Sequence, residues 1–282
     1  MNELKLKEDL KHFFMEDIGY QDLTSEGIFN DEQGEIEFVS KSSGYFCGSK
    51  VITNGYSVLN PSVKVEMLVE DGEELQEGLV IARASGKIID LLKGERVILN
   101  LIQRLSGITT MTRESVQMLN NSHTKISDTR KTTPGLRMLE KYAVFVGGGV
   151  NHRFGLDDAV MIKDNHIEFA GSITNAVEAV RNRIGHMVKI EVETETESQV
   201  KEAIANQVDC IMLDNVDHAN LKKMLLLIPP SIQTEVSGGI TIDTLPFYSD
   251  LNIDVISLGY LTHQIQSLDI SARVRTSTKV NQ

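Results

Sequence analysis

A chain of 282 residues, 41% of them hydrophobic, is long enough to bury a substantial core in one large or two moderate domains. Its 40 acidic against 28 basic residues leave a formal charge of −12, which disfavours nonspecific binding to nucleic acid or anionic lipid. An anionic ligand must therefore be drawn in by a local basic pocket, and no apolar run approaches the ~20 residues of a membrane-crossing helix.

The opening stretch MNELKLKEDLKHFFMEDIG reads as an amphipathic helix without the apolar centre of a signal peptide. Strand patterns follow in GEIEFVSKS and VKVEMLVEDGEEL. The second sets Val63, Val65, Met67 and Val69 on one face by strict alternation, then turns at Asp71-Gly72. A third strand, LVIARASG, follows Gly78. The stretch from Lys87 to Leu119 carries helical periodicity, as one or two long helices with Gly94 and Gly107 as candidate breaks. Cys47 and Cys210 lie inside apolar runs and read as buried thiols, which suits a reducing, cytoplasmic compartment.

From about residue 124 the texture changes. Short β-branched runs (TKIS, AVMIK, MVKIEVE, DCIMLD, IQTEV, DVISLG) alternate with helical stretches such as PGLRMLEKYAVF, SITNAVEAVRNRI and HANLKKMLLLI. Apolar strands separated by helices are the pattern of a parallel sheet with helical crossovers. The strand ends near 128, 163, 193, 214, 237 and 259 include late spacings of 21 to 23 residues. That compact βα unit favours a barrel over an open doubly wound sheet, and no glycine-rich dinucleotide fingerprint follows the first strand.

The strand ends carry chemistry. They read Asp128-Thr129-Arg130-Lys131, Lys163-Asp164-Asn165-His166, Glu191-Val192-Glu193, Asp214-Asn215, Ser237-Gly238-Gly239 and Gly259. In a βα barrel such positions gather on one face. Arg130, Lys131, Arg153 and Lys163, with His152, form a cationic set suited to a ligand with several negative charges. Pro134 can start the helix that follows the basic pair. Glu193 and Asp214 are either counter-ions to these cations or ligands of a magnesium ion bridging to phosphate. Ser237, Gly238, Gly239 and Gly259 suit a phosphate, because glycine lets main-chain N–H groups approach it.

The stretches GERVILNLIQRLSGITTMT, DTRKTTPGLRMLEKYAV, GGGVNHRFGL, VMIKDNHI, KIEVE, IMLDN, SGGIT and ISLGYLTH together resemble the quinolinate phosphoribosyltransferase family, in order from about residue 10 to residue 271. The resemblance implies an α/β protein. Residues 1–108 and 270–282 would form an N-terminal α/β sandwich, and 109–269 an incomplete α/β barrel of the type II phosphoribosyltransferase kind. It implies transfer of a phosphoribosyl group from phosphoribosyl pyrophosphate to quinolinate with decarboxylation, in the presence of Mg²⁺. By motif, Arg130, His152 and Arg153 would hold the quinolinate carboxylates, and Lys131 and Lys163 would serve quinolinate and pyrophosphate. Glu193 and Asp214 would bind ribose hydroxyls and Mg²⁺, and with the two lysines would be the catalytic residues. Ser237, Gly238, Gly239 and Gly259 would cradle the 5′-phosphate. Arg96 would reach into the site of the neighbouring subunit of a homodimer. Phe145 and Val236 depart from the family pattern, where a basic residue and alanine are common.

Other readings of the same residues exist. Lys163 at a strand end fits a Schiff-base aldolase. His152 and His166 suggest a metal pair, but neither has a second ligand at i+4. The other histidines, His12, His123, His186, His218 and His263, read as surface or structural, and the tail TSTKVNQ as loose. Two rival functions remain beside the first: a pyrophosphorylase-like enzyme of molybdate operons acting on another acceptor, and a non-catalytic barrel that binds an anionic metabolite.

Overall fold

Residues 1–275 are described by the computed structural model; the TSTKVNQ tail lies outside them. The chain falls into two units. One takes in Met1–Met111, Pro134–Gly147 and the described residues from Gln264 onward; the other takes in Thr112–Thr133 and Gly148–His263.

The first unit begins with α1 (Glu3–Ile18), capped by Asn2, whose side chain accepts from the N–H groups of Leu4 and Lys5. After α2 (Leu23–Ile28) come β1 (Gln33–Ser40), β2 (Gly44–Tyr45), α3 (Ser49–Leu59), β3 (Lys64–Met67), β4 (Glu74–Leu75) and β5 (Val80–Lys87). The expected alternation holds around β3: Val63 and Val69 are buried, Val65 and Met67 half-buried, and the residues between them exposed. Leu6, Leu10 and Phe14 of α1 and Val51, Ile52 and Tyr56 of α3 are buried, as are Phe38 and Ile81 of the sheet.

The stretch with two candidate glycine breaks is one uninterrupted helix, α4 (Ile88–Leu119), of 32 residues. Its glycines serve close packing instead. A Cβ on Gly107 would lie 2.2 Å from the carbonyl oxygen of Gln266, and one on Gly94 would lie 2.6 Å from the ring of Tyr56. Pro134 does not open the next helix. Pro134–Leu136 form a turn with Gly135 at φ +86°, and α5 starts later (Arg137–Val146). This helix packs within the first unit: the Tyr142 hydroxyl donates to Asp71 Oδ2 at 2.7 Å, Thr109 donates to the Ala143 carbonyl at 3.0 Å, and Arg104 pairs with buried Glu140.

In the second unit the elements run β6 (Lys125–Ser127), β7 (Val160–Ile162), α6 (Asp164–Ala170), α7 (Ile173–Arg181), β8 (Ile190–Thr194), α8 (Glu197–Ala205), β9 (Cys210–Asp214), α9 (His218–Leu225), β10 (Gln233–Ser237), a 3-10 helix (Ile242–Tyr248), β11 (Val255–Ser257) and α10 (Tyr260–His263). The six strands pair in parallel in the order β6-β11-β10-β9-β8-β7. From β7 to β11 strands consecutive in sequence are neighbours, and the first, β6, pairs with the last, β11, as in a barrel. β6 and β7 are not neighbours, so the ring is open and the barrel incomplete. A doubly wound sheet would reverse its strand order at a switch point; this one does not.

After the second unit the chain returns to the first as β12 (Ile270–Val274), completing the antiparallel sheet β12-β1-β5-β3. Glu37 of β1 stands opposite Arg83 of β5 and Arg273 of β12 and bonds both guanidinium groups. Arg83 first, and then Arg273, hold its carboxyl below the ordinary glutamate range.

Candidate active site

The carboxyl ends of the six parallel strands surround a cavity of about 340 Å³, the location where barrel enzymes build their sites. Side chains two apart on a strand share a face. Lining the cavity on that rule are Met161 and Lys163 at the end of β7, Met212 and Asp214 on β9, and Glu235 and Ser237 on β10. Arg130 and Lys131 enter after β6, His152 and Arg153 from the loop before β7, and Glu193 from β8.

Eight of the twelve expected site residues line this one cavity: Arg130, Lys131, His152, Arg153, Lys163, Glu193, Asp214 and Ser237. Burial, and then the neighbouring Arg130, press the Arg153 guanidinium below the ordinary arginine range. Two arginines close enough to disfavour each other's charge are stabilised when a dianion enters. Arg153 Nη1 also donates to the Ala159 carbonyl at 2.7 Å, which aims the side chain. Lys163 forms a direct ion pair with Glu193. An ammonium held by a carboxylate is not the free amine that Schiff-base chemistry needs. His166 is no metal ligand partner for His152: its Nδ1 accepts the backbone N–H of Lys163 at 3.0 Å.

Gly238, Gly239 and Gly259 border this cavity's strand ends without lining it. Gly238, at φ +94°, packs on Asn215, whose side chain donates to Asp214 Oδ2 at 2.6 Å. Gly259 carries the Lys131 side chain, since a Cβ there would lie 3.1 Å from Lys131 Cδ. Arg96 sits on the exposed side of α4 in the first unit and does not line the cavity. Of the two departures, Phe145 is exposed on α5 and Val236 is buried on β10.

Sequence reasoning missed the floor. His152 Nε2 lies 3.1 Å from Glu191 and 3.5 Å from Glu235, and both carboxyl groups are buried. The Ser257 hydroxyl donates to Glu235. Burial, and then the neighbouring Glu191, push the Glu235 carboxyl up to about 8. Asp128, fully buried, accepts from the His152 backbone N–H at 2.9 Å and from the Asn151 side chain at 2.6 Å. The alternation Glu191–Glu193 and Glu235–Ser237 was the available signal, because each lower residue shares a face with a site residue above it.

Three ligand atoms of His152, Glu191 and Glu235 lie within 4.8 Å of one another, which raises the possibility of a metal. The histidine argues against it. Its Nδ1 accepts the Arg153 backbone N–H at 2.7 Å. A metal on Nε2 would place the ring proton on Nδ1, where two donors would then face each other.

Comparison with known proteins finds relatives along the chain. Residues 22–106 match the N-terminal domain of quinolinate phosphoribosyl transferase, and residues 108–273 match its C-terminal domain. The chain belongs to the quinolinate phosphoribosyltransferase family. It is 54% identical to a probable nicotinate-nucleotide pyrophosphorylase (carboxylating) of Bacillus subtilis, over 99% of this chain and 96% of that protein. It is 37% identical to quinolinate phosphoribosyltransferase (decarboxylating) 2b of Nicotiana tabacum, over 96% of this chain and 82% of that protein. The crystal structure of NadC from Streptococcus pyogenes superposes with a TM-score of 0.94 at 37% identity, over 98% of both chains. The nicotinate-nucleotide pyrophosphorylase of Francisella tularensis gives 0.91 at 32% identity, again over 98% of both.

Proposed function

We propose that this phosphoribosyltransferase joins quinolinate to phosphoribosyl pyrophosphate and releases nicotinate mononucleotide, pyrophosphate and CO₂, a step of de novo NAD biosynthesis. The observation that carries the reading is the convergence of Arg130, Lys131, Arg153 and Lys163 on one cavity whose rim also bears Glu193 and Asp214. A dicarboxylate and a polyphosphate need those cations; a ribose with two hydroxyls needs those carboxylates.

The chemistry asks mainly for positioning. As pyrophosphate departs, C1 of the ribose becomes oxocarbenium-like, and the quinolinate ring nitrogen, held in line, forms the new C–N bond. Holding two reactants in that geometry supplies on the order of 7–11 kcal/mol of a barrier. Arg130 and Arg153 orient the carboxylates, while Lys131 and Lys163 offset charge on the leaving pyrophosphate. The C–C bond to the 2-carboxylate then breaks; its electron pair stays on ring carbon 2 beside the positive nitrogen until a solvent proton arrives. No covalent nucleophile is needed.

Glu193 and Asp214 offer hard oxygen donors on neighbouring strands of the same cavity, a donor set that fits Mg²⁺. Bound there, the ion would supply charge neutralisation at phosphate oxygens. Ser237 and the loop at Gly238 and Gly239 are assigned to the 5′-phosphate. The protein acts as a homodimer in which Arg96, exposed on α4, completes the site of the second copy. The reaction is placed in the cytoplasm, a reading supported by two free buried cysteines; among the described residues no helix is long and apolar enough to cross a membrane. The molybdate-operon acceptor and the non-catalytic barrel are disfavoured, because cations and carboxylates occur together in one cavity.

The test is product formation from quinolinate, phosphoribosyl pyrophosphate and Mg²⁺, followed by chromatography, with nicotinate offered in parallel. Nicotinate mononucleotide from quinolinate alone, lost on chelation, is the expected result. Folded protein that makes none refutes the assignment.

A further inference from the structure

A pocket for a dicarboxylate with two buried carboxyl groups on its floor poses a physical problem, since like charges repel and burial penalises both. Glu191 and Glu235 stand on β8 and β10, 8% and 5% exposed. They converge on a single atom, His152 Nε2, at 3.1 and 3.5 Å. On the far side of the ring, Nδ1 accepts the Arg153 backbone N–H at 2.7 Å. An imidazole that accepts at Nδ1 carries its proton on Nε2. That proton points into the protein, toward the carboxyl pair. The opposite tautomer would set N–H against N–H across 2.7 Å and break the bond.

The consequence reaches Arg153. Its main chain is tied to the His152 ring, and its guanidinium to the Ala159 carbonyl. The His152 main chain is tied in turn to Asp128. The contact at Nε2 crosses from this loop to strands β8 and β10 and orients the ring.

We propose that Glu191 and Glu235 are positioning residues that hold His152 as its Nε2-protonated tautomer and, through Nδ1, fix the backbone from which Arg153 reaches the acceptor's carboxylates. The kinetic half of this inference rests on the quinolinate reading of the cavity; the structural half does not. Ser257 takes part by donating to Glu235, which keeps that carboxyl facing the ring. Ordered second contacts of this kind decide tautomer and aim at many histidine sites.

The experiment uses the full chain labelled with ¹⁵N in histidine, with His152→Gln identifying the His152 ring signals. The wild-type ring shows the Nε2–H pattern without any substrate. Glu191→Leu, with circular dichroism and melting to establish the fold, loses that pattern. It raises KM for quinolinate roughly tenfold or more, while KM for phosphoribosyl pyrophosphate stays within about twofold. Glu191→Gln, whose amide oxygen still accepts, restores both readouts. If Glu191→Leu does not fold, Ser257→Ala gives the same two shifts in smaller measure.

A wild-type His152 in the Nδ1–H form overturns the proposal, as does an unchanged spectrum in Glu191→Leu. An unchanged quinolinate KM in a variant that has lost the pattern also overturns it. If the pattern responds to Glu191→Leu in a protein that does not turn over quinolinate, the positioning role stands and the assignment of the acceptor falls.

Discussion

Gly238→Ala separates the two jobs of the turn after β10. Gly238 has φ +94°, a conformation that costs an L-residue about 1–2 kcal/mol. The new Cβ would also lie 2.4 Å from Asn215 Oδ1 and 2.6 Å from the Asn215 backbone nitrogen. That nitrogen cannot yield freely, because it donates to the Ser237 carbonyl at 3.0 Å; forcing it aside adds about 1–3 kcal/mol. The expected loss of stability is therefore about 2–5 kcal/mol. Function follows the same contact: Asn215 donates to Asp214 Oδ2 at 2.6 Å, so moving Asn215 moves a carboxylate assigned to the ribose and metal. KM for phosphoribosyl pyrophosphate is expected to rise more than KM for quinolinate. Gly239→Ala is the control, at φ +63° with nothing within 4 Å of the new Cβ, and should lose only the conformational part. Urea titration measures both variants. Equal stability of the two, or a destabilised Gly238→Ala with unaltered phosphoribosyl pyrophosphate kinetics, refutes this account.

Three further outcomes are expected. Gly107→Ala gains about 1 kcal/mol in helix propensity but meets the Gln266 carbonyl at 2.2 Å, so it destabilises; Gly27→Ala in α2 meets nothing within 4 Å and stabilises. Urea midpoints moving in the same direction for both would contradict this. Burial, and then the neighbouring Glu191, push the Glu235 carboxyl from an ordinary 4.5 up to about 8, so between those values the native state holds a proton that the unfolded state has lost. Its contribution to stability is fully present below the lower value and fades toward the upper one, by about 1.4 kcal/mol per pH unit. Glu235→Gln cannot ionise and should flatten that decline; urea curves for variant and wild type that stay parallel over this range would refute it. Arg130→Ala should raise KM for quinolinate by about a hundredfold with an unchanged melting temperature, as expected for a lost bidentate carboxylate contact; an unaltered KM removes Arg130 from the site.

Much of the site was legible because strand alternation and turn chemistry are local properties. Apolar runs ending in Arg130-Lys131, Lys163, Glu193, Asp214 and Ser237 marked positions that any parallel barrel gathers on one face. Glu235 was legible only as a residue on the same strand face as Ser237. That it meets His152, which enters from the loop before β7, was not, because residues so far apart in the chain are brought together only by the folded barrel.

By itself, then, the sequence determined which segments are strands and helices, that the second half is a parallel βα array, and which charges sit at the strand mouths. These depend on neighbours in the chain. Tertiary structure alone decided that α4 runs through Gly94 and Gly107, that α5 packs with the first unit, and that β12 closes its sheet on Glu37. It also decided that His152 faces two buried carboxyl groups. Each of these depends on atoms brought together across long stretches of sequence, where packing and hydrogen bonding override what a local pattern can specify.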